Sequence, residues 1–135
     1  MSAPTYNAQR SWHWGPRSSE VRSELHIDLV LCVDQALEWS PFDLALTEGF
    51  RGAREQTEAY EAGLSELRFP ASRHNLKPSC AVHIEPYPID YNDLARYHLL
   101  GGLMIAAGKL LQVGLRWLGP TSLRDYAHWE IPKET

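Results

Sequence analysis

The sequence predicts an α+β domain in which a small antiparallel sheet packs with helices. Three observations point there: helical and strand-like segments follow one another in the order α-β-α-β-α-β-β, every strand-like segment is short, and 135 residues suit one domain with a real core. A parallel α/β sheet is the weaker alternative.

Residues 1–17 are polar and aromatic, contain glycine and proline, and read as an extended arm ahead of a single domain spanning 18–135. Ser18 or Ser19 caps a first helix with Glu20 in its first turn. Val21, Leu25, Leu29, Val33 and Ala36 then recur at helical spacing up to about Trp39. Ser40-Pro41 breaks the helix, and FDLALTEGF alternates Phe42, Leu44 and Leu46 against Asp43, Ala45 and Thr47, a strand ending at Gly49. A short helix covers about Ala53 to Ala62.

LSELRFPASRHNLKPS follows as a loop of roughly 16 residues, longer than a connection needs, and such loops are often functional. In CAVHIEP, Cys80, Val82 and Ile84 take one strand face and Ala81, His83 and Glu85 the other. Asn92 or Asp93 caps a long helix that packs through Leu94, Tyr97, Gly101, Met104, Ile105, Gly108 and Leu111 and ends near Gly114. GLRWLG and AHWEI are two short strands.

Composition narrows the function classes. Hydrophobic residues are 44% and charged residues 22% of the chain, as in globular proteins. A formal charge of −4 with no Lys/Arg run argues against nucleic-acid binding through phosphates. Cys32 and Cys80 lack CxxC spacing, which leaves two buried thiols as the expectation. The N-terminus has no apolar stretch of secretory type, and Leu99 to Leu111, interrupted by Lys109, is shorter than a membrane span. No membrane partner is expected.

Three histidines fall on three separate elements: His74 in the long loop, His83 on a strand and His128 on the last strand, with Asp125 three residues before it. A catalytic zinc site needs three protein ligands and an open fourth position for water, and a carboxylate such as Asp125 can serve that water as general base. Spacing alone leaves open the reading of ordinary core or surface histidines. His98 reads as a hydrogen-bonded, semi-buried side chain on an apolar helix, and His13 and His26 as surface positions.

Four segments taken in order, WHWGPRSSEVRSELHIDLV, LTEGFRGAREQ, SRHNLKPSCAVHIEPYPIDYND and DYAHWEI, resemble the phage-type L-alanyl-D-glutamate endopeptidases. These endolysins are similar to the zinc D-Ala-D-Ala carboxypeptidases and VanY-like peptidases. The resemblance covers about residues 12 to 131 and implies the zinc D-Ala-D-Ala peptidase (Hedgehog-like) fold. It also implies a Zn2+ cofactor and hydrolysis of a peptidoglycan stem-peptide amide bond such as L-Ala-D-Glu.

On the family pattern SxHN…PSxAVDxxPYPIDW and the closing DxPHFE, His74 is the first metal ligand, His128 the third and Asp125 the general base. Arg51, from the EGxR turn, holds a substrate carboxylate or carbonyl, and Ser72 supports the site from behind the ligands. His83 stands where the family has an aspartate ligand, so the implied site has three histidines and one more positive charge. Glu85, two residues along the same strand face, either ligates the metal, orients His83 or is simply solvated. Gly119-Pro120 with a short loop replaces the family's RWGGDW and its longer excursion, which removes a wall of the cleft.

An endolysin without a signal is made in the host cytoplasm and reaches the periplasm or cell wall after holin release. The alternative expectation is a catalytically degenerate relative acting as a virion structural or wall-binding protein, with the aromatic arm docked on neighbouring virion proteins.

Overall fold

Pro16, not a serine, opens the first helix. The computed structural model describes residues 12–132; most of the arm, residues 1–11, lies outside the described residues. Helix α1, Pro16–Ser23, has Gly15 at its N-cap and proline at its first position, where the fixed φ suits a helix and the missing N–H costs nothing. Ser18 does not cap. Its buried hydroxyl accepts a bond from Leu46 N at 3.0 Å.

The first helix expected up to Trp39 is two helices. Ser79 N donates to Glu24 O at 2.8 Å and His26 N donates to Ser79 O at 2.9 Å, which draws the chain out of helical geometry around Leu25. His26 then caps α2, Ile27–Trp39, by accepting Asp28 N on its Nδ1 at 3.1 Å. Its side chain is only 12% exposed, a correction to the surface position expected for it. Val21, Leu25, Leu29, Val33 and Ala36 are all buried despite the break. Ahead of α1, Trp12 donates to Ser40 O, and Trp14 donates to Asp34, which also pairs with Arg22 through two bonds.

Four strands form one antiparallel sheet in the order β1-β2-β4-β3: β1 Leu44–Glu48, β2 Ala81–Pro86, β3 Arg116–Trp117 and β4 His128–Glu130. Leu46 pairs with Ile84, and a bulge before Glu48 then sets Glu48 opposite His83. On the other side of β2, His83 pairs with His128. Cys80, Val82, Ile84 and Trp129 join the core with residues of α2 and of α4, Leu94–Leu111. Both cysteines are buried and outside any disulfide, and burial, with Asp28 nearby, pushes Cys32 up to about 11.

Asp93 caps α4 by accepting Arg96 N, and the helix stops at Leu111 because Gln112 turns left-handed, φ 58°, short of the expected Gly114. Its buried stripe is Tyr97, Leu100, Gly101, Met104, Ala107 and Gly108. Leu94 and Ile105, expected to pack, are 41% and 48% exposed. The stripe is centred on Leu100, Met104 and Ala107, and both stand just past its Gly101 edge, Leu94 in the first turn. A Cβ on Gly101 would stand 2.6 Å from the Trp117 ring, which is itself stacked on Trp129 at 5.1 Å. Gly101→Ala is therefore expected to cost about 1–3 kcal/mol of stability, measured as a lower urea midpoint at unchanged slope.

Helix α3, Ala53–Glu61, is polar and buries Gln56 alone. The chain from Gly63 to Ser79 holds one 3-10 turn, Arg73–Asn75, and this turn carries His74. His98 is exposed and meets Trp117 and Tyr126 edge-on at 5.6 and 5.5 Å, a correction to the semi-buried position expected for it.

Candidate metal centre

Three backbone devices bring three imidazoles together. The 3-10 turn is held by a capping box in which Ser72 Oγ accepts His74 N at 3.2 Å and Asn75 Oδ1 accepts Ser72 N at 3.0 Å, so Ser72 fixes the residue that presents His74. The β2/β4 register places His83 and His128 side by side, and the adjacent loop lays His74 across them. One nitrogen from each ring lies within 4.8 Å of the other two, the single such group among the described residues.

The nitrogens that face each other are His74 Nε2 and His128 Nδ1 at 3.3 Å and His83 Nε2 and His128 Nδ1 at 3.2 Å. Tetrahedral zinc with bonds of about 2.0–2.1 Å sets its ligand nitrogens about 3.3–3.4 Å apart, so the spacing fits a metal ion. The outer ring nitrogens agree. His74 Nδ1 meets the Gly49 carbonyl at 2.6 Å and His128 Nε2 meets Glu130 Oε1 at 2.7 Å. Each of these acceptors assigns the proton to the outer nitrogen and turns a lone pair inward. Inward lone pairs this close repel unless a cation sits between them.

Asp125 closes one side. Its Oδ2 is 3.6 Å from His83 Nε2 and 3.8 Å from His128 Nδ1, its side chain is 40% exposed, and it is not one of the three side chains that converge. A carboxylate so placed can take a proton from a water beside the rings. Glu85 is buried, contrary to a solvated state, and accepts Tyr97 OH at 2.9 Å; it is not in the ligand group either. The neighbouring carboxylate and burial push the Tyr97 hydroxyl upward, burial most strongly.

Arg51 is near enough for its charge to act on His74 and His83, but it is engaged and its side chain is only 13% exposed. Its Nε and Nη2 contact Glu48 Oε1, and its Nη1 donates to Gln56 Oε1 at 2.9 Å. Of five guanidinium N–H groups two remain for a ligand. The residues that the sequence reading missed are Glu130, Gly49, Glu48 and Gln56. Glu130 had a signal, since it stands two residues from His128 and so on the same strand face.

Burial, reinforced by the other two rings and Arg51, holds His74 well below the ordinary imidazole range, against the pull of the Gly49 carbonyl. Burial also lowers His83, with Asp125 and Glu48 opposing it. Both rings are neutral and ready to ligate at neutral pH. In metal-free protein the unfolded chain takes up protons below about pH 6.5 while these rings resist, so stability present above that pH falls on acidification. The expected loss is about 1 kcal/mol per pH unit for each ring until it protonates, read from urea midpoints in EDTA between pH 7.5 and 5.5. A flat profile there would contradict these environments. Burial would raise Glu130, but its bond to His128, with the charges of His128, Arg116 and Arg73, holds it below the usual carboxylate range.

The model of the phage L-alanyl-D-glutamate peptidase family matches residues 10–133. The chain belongs to that family. The L-alanyl-D-glutamate peptidase of Escherichia phage T5 is 27% identical to it over 128 residues, which is 93% of this chain and 93% of that protein. Among solved structures, the Serratia marcescens L-Ala D-Glu endopeptidase ChiX superposes with a TM-score of 0.78 at 24% identity, covering 95% of this chain and 96% of that one. This likeness shows the fold expected for the family, and the α+β class with a small antiparallel sheet stands. No described helix is long and apolar enough to cross a membrane.

Proposed function

We propose that this family member is a zinc-dependent peptidase that hydrolyses a stem-peptide amide bond of bacterial peptidoglycan, the L-alanyl-D-glutamyl bond. The observation that carries the reading is the convergence of His74 Nε2, His83 Nε2 and His128 Nδ1 with the Asp125 carboxylate beside two of them. Family membership supplies the bond class. These three nitrogens would hold the ion, and zinc accepts three histidines. Zinc, when bound, supplies a Lewis acid that acidifies water and polarises a carbonyl.

The chain's own residues do the rest. Asp125 accepts the proton of the attacking water on its carboxylate and returns it to the leaving amine nitrogen. Its exposure leaves it open to substrate, while its contact with two ligand rings fixes where the water is met. Arg51 offers its two remaining N–H groups to a substrate carboxylate or carbonyl. His74, buried and bonded to Gly49, and His128, bonded to Glu130, keep their inward nitrogens unprotonated. Action at the cell wall belongs to the same proposal.

Purified protein incubated with peptidoglycan is expected to release new α-amino groups in step with its zinc content. Chelation should abolish the release and zinc should restore it. Zinc-loaded protein that releases none would overturn the reading and favour the non-catalytic wall-binding alternative.

A further inference from the structure

Helix α3 buries one side chain, and it is an amide. Gln56 has no exposed surface, although every other residue of Ala53–Glu61 is at least partly open to solvent. An apolar residue would fill such a place at less desolvation cost, so the amide asks for a reason. Its bonds supply one. Nε2 donates to Leu67 O at 2.6 Å and to Ser65 Oγ at 3.0 Å, while Oε1 accepts Arg51 Nη1 at 2.9 Å and Asn75 Nδ2 at 3.2 Å. All four hydrogen-bonding positions of the amide are used.

The two acceptor contacts lead directly to the site. Asn75 closes the capping box of the turn that presents His74 and also donates to Arg51 O at 2.8 Å, and Arg51 N donates to His74 O at 2.7 Å. Glu48, which meets Arg51 from the other side, is paired across the sheet with His83. The guanidinium is therefore held between a carboxylate anchored on β1 and an amide anchored on α3.

We infer that Gln56 is a positioning residue: its Oε1 fixes the direction of the Arg51 guanidinium relative to the turn that carries His74, so that the unused N–H groups of Arg51 meet the substrate. This rests on the peptidase reading for its consequence in activity, but the geometry it asserts can be read without activity. The competing role is mere anchoring of the Gly63–Ser79 segment through Nε2, and the two halves of the amide separate these roles. Gln56→Glu keeps the Oε1 acceptor and loses both donors; Gln56→Met, similar in length, loses everything.

Steady-state hydrolysis of a soluble stem peptide by zinc-loaded variants tests the inference. Gln56→Met is expected to raise KM about ten-fold with kcat changed less than about three-fold and zinc content unchanged, as loss of a charge-assisted contact used in binding requires. Gln56→Glu should restore most of the KM. The double variant Gln56→Met with Arg51→Ala should be no worse than Arg51→Ala alone, because the effect passes through Arg51. Equal defects in the Met and Glu variants, or effects that multiply in the double variant, would overturn the inference. Should Gln56→Met not fold, Gln56→Glu decides: a KM within about three-fold of wild type supports the inference, and a loss equal to that of Arg51→Ala overturns it.

The NMR signal of the Arg51 Nη1–H that donates to Gln56 Oε1 needs no turnover. It should exchange slowly in wild type and Gln56→Glu but be shifted and fast-exchanging in Gln56→Met. Wild-type protein that cleaves nothing would sink the peptidase reading, while an Arg51 signal identical in all three proteins would sink this one.

Discussion

Asp125→Asn is expected to lower kcat for peptide hydrolysis by about 10²–10⁴-fold, the usual worth of a positioned general base, while zinc content stays at the wild-type level. The split follows from geometry. The Asp125 carboxylate lies beside the imidazole nitrogens, 3.6 Å from His83 and 3.8 Å from His128, but outside the group of three that converge. Asparagine keeps the shape and removes the proton acceptor, so the activity should go. Stopped-time assays on a stem peptide, paired with metal analysis of the same preparation, check both parts. Activity within a few-fold of wild type would remove Asp125 from the reaction.

Glu130→Gln is expected to weaken zinc binding about 10–100-fold, measured by competition with a chromophoric chelator, without loss of fold. Glu130 accepts the outer nitrogen of His128 at 2.7 Å and lies 3.7 Å from Arg116, so it holds the proton on Nε2 and leaves Nδ1 as the donor. An amide still fits the space. It carries no charge to strengthen the bond to His128, and its own N–H can face the ring and push the proton to the inward nitrogen. Unchanged affinity would mean that strand geometry alone fixes the ring.

Local pattern told most of the fold. The Val21 to Ala36 repeat, the alternation in CAVHIEP and the Asp93 cap all describe forces acting within one segment, and the structure keeps them. The errors came from contacts between distant segments. Nothing near Leu25 announces that Ser79 will pair beside it and split the first helix, and nothing in α4 says that its stripe will run through Leu100 and Ala107 instead of Ile105.

The candidate site divides the same way. His74, His83, His128 and Asp125 were legible as residue types on separate elements together with a family resemblance, and the fold brings them together. Their supports depend on register and on tertiary hydrogen bonds. The Gly49 carbonyl behind His74 and the bulge that sets Glu48 against His83 are invisible to periodicity. Glu85 misled for the opposite reason: alternation placed it correctly on the His83 face, but Tyr97 of α4 takes its carboxylate.

The central claim is that three imidazoles of this chain hold one metal ion. X-ray absorption of zinc-loaded protein tests it most directly, with the same measurement on His83→Ala. One zinc per chain is expected, with three imidazole nitrogens at about 2.0–2.1 Å, falling to two when His83 is removed. Sub-stoichiometric zinc, or a coordination shell unchanged by His83→Ala, would contradict it.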